Sequence, residues 1–101
     1  MYPSHDITIR LAAAGDARSV WRLAALDSRP APNGRVLLAE IGGRLQAARS
    51  IDSGRTVADP FEPTADLVRM LEARAGAIRA AEQQPAAGKP RRRARAVAAA
   101  R

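Results

Sequence analysis

Ser4, His5 and Asp6 stand side by side and supply the side-chain types of a hydroxyl nucleophile, its base and the carboxylate that orients the base. Triads are assembled by geometry, and adjacent residues in a terminal segment rarely converge on one reacting centre, so this tripeptide reads as ordinary N-terminal chain. His5 is the only histidine and cysteine is absent, which excludes disulfides, thiol nucleophiles and thiolate zinc sites. The carboxylates Asp52, Asp59, Glu62 and Asp66 match no calcium-loop spacing and read as turn and helix-start residues. No catalytic residue, metal ligand or cofactor contact is therefore expected.

Phosphate chemistry has its own candidate stretch, "RTVADPFEPTADLVRM", which reads as a strand end, a break and a helix start over Arg55 to Met70. Such junctions hold phosphates through free backbone amides at a helix N-terminus. Here Pro60 and Pro63 have no amide proton, no glycine allows close approach, and Asp59, Glu62 and Asp66 would repel a diphosphate.

The chain of 101 residues carries a net charge of +7. The charge is unevenly placed: up to Pro85 arginines and acids nearly balance, whereas Lys89, Arg91, Arg92, Arg93, Arg95 and Arg101 follow with no acid among them. The segment 85–101 has almost nothing apolar to bury and reads as a disordered basic tail, although an Ala- and Arg-rich tail is also what a GC-rich coding sequence produces. Lys89, Arg91, Arg92, Arg93 and Arg95 are candidate contacts for non-specific nucleic acid through counterion release, but no aromatic lies among them for base stacking.

The elements that position these residues follow from periodicity. Ile7, Ile9 and Leu11 alternate with Thr8 and Arg10 as in a half-buried strand. A helix follows from Asp16 to near Ser28, with Ala17, Val20, Trp21, Leu23 and Ala24 at helical spacing and Trp21 expected in the core. Beyond the breakers Pro30, Pro32, Asn33 and Gly34, extended runs over Arg35–Ile41, Arg44–Ile51 and Arg55–Ala58 are joined at Gly42-Gly43 and Asp52-Ser53-Gly54, which are hairpin turns. A last helix runs from an N-cap at Thr64 to Gln84, with Leu67, Leu71, Ala75 and Ile78 on one stripe. The expectation is an α+β domain over 1–84, in the order β-α-β-β-β-α, built on an antiparallel sheet. Only Tyr2, Trp21 and Phe61 are aromatic, so the core must be aliphatic. The N-terminus lacks the pattern of a signal peptide and no apolar run spans a bilayer, so a cytoplasmic protein is expected.

The stretches "ITIRLAAAGDARSVWRLAALDS" and "VLLAEIGGRLQAARSID" resemble the opening strand, first helix and first hairpin of GNAT-type N-acetyltransferases, over residues 6 to about 58. The strand-helix order extends the similarity to about residue 80. The resemblance implies acetyl transfer from acetyl-CoA, with the cofactor pyrophosphate in a glycine-bearing turn after the fourth strand. "ADPFEPTAD" stands there instead. The family's fifth strand and later elements, with a common catalytic tyrosine, have no counterpart, and the only tyrosine is Tyr2. The expectation is a truncated GNAT-like module that is not an enzyme by itself; the alternative is an N-acetyltransferase remnant that uses acetyl-CoA only within an assembly.

A sheet ending at Arg55–Ala58 would present unpaired edge groups. The candidate interface is therefore Arg55 and Val57 on that edge, with Leu67, Leu71, Ala75 and Ile78 on the last helix, and the expected partner is a second copy or another protein.

Overall fold

The computed structural model describes residues 6–83. The terminal candidates, Ser4 and His5 at one end and the basic segment with Lys89, Arg91, Arg92, Arg93 and Arg95 at the other, lie outside the described residues.

Strand β1 (Ile7–Leu11) leads through a single turn of tighter helix at Ala14–Asp16 into α1 (Ala17–Leu26). Strands β2 (Val36–Ile41), β3 (Arg44–Ser50) and β4 (Thr56–Ala58) follow, and α2 (Ala65–Gln83) completes the order. The strands form one antiparallel sheet in the order β1-β2-β3-β4. This is the α+β architecture that periodicity and turn chemistry imply.

The turns have the conformations their residues favour. Gly42 and Gly43 both take positive φ, at 58° and 83°, the left-handed pair that matches the twist of a two-residue hairpin. Between β2 and β3, Ala39 faces Ala47 while Glu40 faces Leu45, so Gln46 is one extra residue and forms a β-bulge.

The two helices lie on opposite faces of the sheet. Val20, Leu23 and Ala24 of α1 pack with Val36, Leu38, Ala48 and Val57. Leu67, Leu71 and Ala75 of α2 pack with Leu37, Ala39, Ala47 and Ile51. Because β2 is covered on both sides, Val36 to Ala39 form an unbroken buried run instead of an alternation. Ala47 and Ala48 of β3 are fully buried on the two faces, where their small side chains admit both helices closely.

Two expectations are corrected by this packing. Val57 is buried in the cluster under α1, and Leu67, Leu71 and Ala75 are buried in the cluster under α2 with Ile78 packed against it, so they are core residues and not a free interface. Burying each large aliphatic side chain is worth about 1.5–3 kcal/mol, and offering the stripe to a second copy would first require α2 to leave the sheet. Trp21, expected in the core, is 71% exposed, because α1 docks through Val20, Leu23 and Ala24 and turns the indole outward. Phe61 is exposed as well, so among the described residues the apolar core is aliphatic.

Candidate functional site

The junction after β4 is closed on itself. Asp59 donates its amide to the Gln46 carbonyl at 2.9 Å, its carboxylate accepts from the Phe61 amide at 2.8 Å, and its carbonyl accepts from the Glu62 amide at 3.4 Å. The amides of Asp59, Phe61 and Glu62 are thus engaged by acceptors of the turn and of β3, and Pro60 and Pro63 add no donor. Thr64 accepts the first helical bond, from Val68 at 2.9 Å, and Asp66 in the first turn of α2 is paired with Arg69. A shallow groove between this turn and the end of α1 is lined by Asp27, Asp59 and Glu62 against the single cation Arg29, a balance that disfavours polyphosphate.

The β4 edge is blunted by a side chain. Arg55 and Asp59 bond inward to Ser50 and Gln46, so by the alternation of an antiparallel ladder Thr56 and Ala58 turn their amides outward. The outward Ala58 amide donates to Asp27 Oδ2 at 3.0 Å. Asp27 is placed there by the end of α1. Arg29 donates to the Ala24 carbonyl at 3.0 Å and Ser28 to the Ala25 carbonyl at 3.1 Å, with Ser28 in the left-handed conformation at φ 53°. This paired closure of the last helical turn leaves Asp27 as the cap residue, facing β4. Arg55 remains exposed at this edge, but the edge itself is partly occupied.

The opposite edge differs. Gly42 donates to the Asp6 carbonyl at 3.3 Å and Ala12 to the Val36 carbonyl at 2.8 Å, so the even-numbered residues of β1 bond to β2. Ile7, Ile9 and Leu11 therefore turn their backbone groups away from the sheet. Among the described residues no element pairs with them. Their side chains share the α2 face with Leu37, Ala39 and Ile41, yet α2 lies over β3 and β2, and Leu11 is 53% exposed.

Two ion-pair networks lock this frame. Arg10 forks onto Asp16 at 2.8 and 2.9 Å and onto Glu40 at 3.1 and 3.2 Å, joining β1, β2 and the start of α1. The Arg10 guanidinium, helped by the Ala13 amide at 2.7 Å, lowers the Asp16 carboxyl to about 2. Arg35 joins Asp52, at 2.7 and 3.1 Å, to Glu82 near the end of α2. Its guanidinium lowers both carboxyls from their ordinary range. These acids hold elements together, and among the described residues no group of three or more acids or histidines could hold a metal ion.

The described residues thus define a small α+β domain with a closed junction, one blunted edge, one open edge and an outward-facing tryptophan. No family model, curated protein or solved structure matches the chain significantly.

Proposed function

We propose that the chain is a non-catalytic, GNAT-like association module of the cytoplasm that pairs with a second copy of itself through the outer edge of β1. The observation that carries this reading is the asymmetry of the two sheet edges. Asp27 occupies the Ala58 amide on one side, while on the other Ile7, Ile9 and Leu11 turn out backbone groups that no described element pairs, with the Leu11 side chain exposed beside them.

The β1 edge is self-complementary. In an antiparallel pairing centred on Ile9, Ile9 meets Ile9 of a second copy, Ile7 meets Leu11, and Thr8 meets Arg10, so no like charges stand directly opposite. The join would make one continuous sheet and cover Leu11 without disturbing either helix. The self-engaged amides of the Asp59 turn and the acids of the neighbouring groove support the absence of acetyl-CoA chemistry.

Size-exclusion chromatography with light scattering at low micromolar concentration tests the pairing. The full chain is expected to run as a dimer and Leu11→Lys as a monomer with unchanged circular dichroism, because the added charge falls on the seam. A wild-type monomer, or a dimer that Leu11→Lys leaves intact, refutes β1 pairing. Calorimetry with acetyl-CoA is expected to give no heat of binding, and measurable binding would sink the non-catalytic reading.

A further inference from the structure

Trp21 is the only tryptophan of the chain and it stands on the outer side of α1, 71% exposed. Together with Ala17, Arg18, Arg22 and Ala25 it lines a shallow concavity. Ala17 and Ala25, one helical turn to either side, are too small to cover the indole. Leaving the largest apolar side chain of a small domain in water forgoes burial worth a few kcal/mol, so its exposure asks for an occupant.

The charges around it narrow the choice. Every Asp and Glu of the chain lies within the described residues, and Arg10, Arg29, Arg35, Arg49 and Arg69 each have an acidic partner. Among the described residues Arg18 and Arg22 have none, as is also true of Arg44, Arg55, Arg74 and Arg79, but only Arg18 and Arg22 flank the indole. The nearest acids in sequence are committed elsewhere, Asp16 to Arg10 and Asp27 to Ala58 and Arg29. The face is therefore an aromatic plane beside two unneutralised cations.

We infer that this face of α1 binds single-stranded nucleic acid, with a base stacked on Trp21 and phosphates held by Arg18 and Arg22. Stacking on an exposed aromatic is worth about 1–3 kcal/mol per base and works with any base. Residues four apart on a helix have Cβ atoms about 5–6 Å from each other, so Arg18 and Arg22 reach neighbouring phosphates of one strand. A duplex hides its base faces and is a poorer fit. A membrane-binding helix would need a broad apolar face, whereas here only alanines stand one turn to either side of the tryptophan and the arginines lie beside it. Facing α1 helices of two copies would bring the arginines against each other, which separates this surface from the β1 edge.

The sole tryptophan makes the test direct. Titrating the full chain with oligo(dT) is expected to quench Trp21 emission, more strongly than a duplex of equal length does. The double variant Arg18→Gln with Arg22→Gln is expected to bind about tenfold more weakly and to lose roughly 1.4 from the slope of log affinity against log salt, at about 0.7 per phosphate contact. Trp21→Ala, followed by anisotropy of a labelled oligonucleotide, should weaken binding about tenfold or more. Binding without quenching, an affinity that both variants leave unchanged, or no binding at low salt would each overturn the assignment. So would anionic vesicles or an acidic peptide shifting Trp21 emission when oligo(dT) does not.

Discussion

The Asp27 carboxylate accepts a hydrogen bond from the Ala58 amide at 3.0 Å, so the end of α1 caps the outer edge of β4. One side chain thus satisfies a donor that would otherwise recruit another strand. Asp27→Ala leaves that amide without its partner and should cost about 1 kcal/mol of stability. It should also add a second mode of association through β4, visible in light scattering as species larger than those of the wild-type chain at equal concentration.

Ser28 closes α1 in the left-handed region at φ 53°, a conformation that disfavours side chains beyond glycine. Ser28→Gly removes that penalty while keeping both closing hydrogen bonds of the helix end. Stability should rise by roughly 0.5–1 kcal/mol, read as a higher midpoint in urea with an unchanged slope.

Gly34 works under the opposite constraint, because φ is 73° and an added Cβ would lie 2.6 Å from Asp52 Oδ2. That oxygen also accepts the Arg35 amide at 2.8 Å. Gly34→Ala therefore strains the backbone and displaces Asp52 from Arg35, and should lower stability by at least about 1 kcal/mol. The expected fall in Tm is roughly 4–8 °C for each kcal/mol in a domain of this size.

Acid should loosen the fold through the two arginine networks. Asp16, Asp52 and Glu82 all have carboxyls lowered by their arginine partners, Asp16 to about 2 from an ordinary 3.8. A lowered folded-state value means the unfolded chain takes up protons first, so the contribution is complete above the ordinary carboxylate range and is lost as pH falls. For Asp16 the loss runs from about 3.8 down to about 2. Urea midpoints measured from pH 7 to 2 should decline once pH falls into the ordinary carboxylate range, where Asp52 and Glu82 of the unfolded chain take up protons before those of the folded chain, and Asp16→Asn should flatten part of that decline.

The sequence by itself determined the order and type of the elements. Alternation over Ile7 to Leu11, the paired glycines Gly42 and Gly43, and the stripe Leu67, Leu71 and Ala75 are local patterns, and local patterns survive whichever way the elements pack. The need for an aliphatic core was equally plain from three aromatics in the whole chain. What lies outward depended on docking. Ala17, Trp21 and Ala24 make as good a helical stripe as Val20, Leu23 and Ala24, and only contact with Val36, Leu38 and Val57 selects the second. That choice exposes Trp21 beside Arg18 and Arg22. The same docking carries Asp27 to Ala58, thirty-one residues away, a contact no spacing rule encodes. Covering both faces of the sheet then removed Val57, Leu67, Leu71 and Ala75 from the surface and left β1 as the open edge among the described residues, because α2 lies over β3 and β2 and no described strand pairs beyond β1.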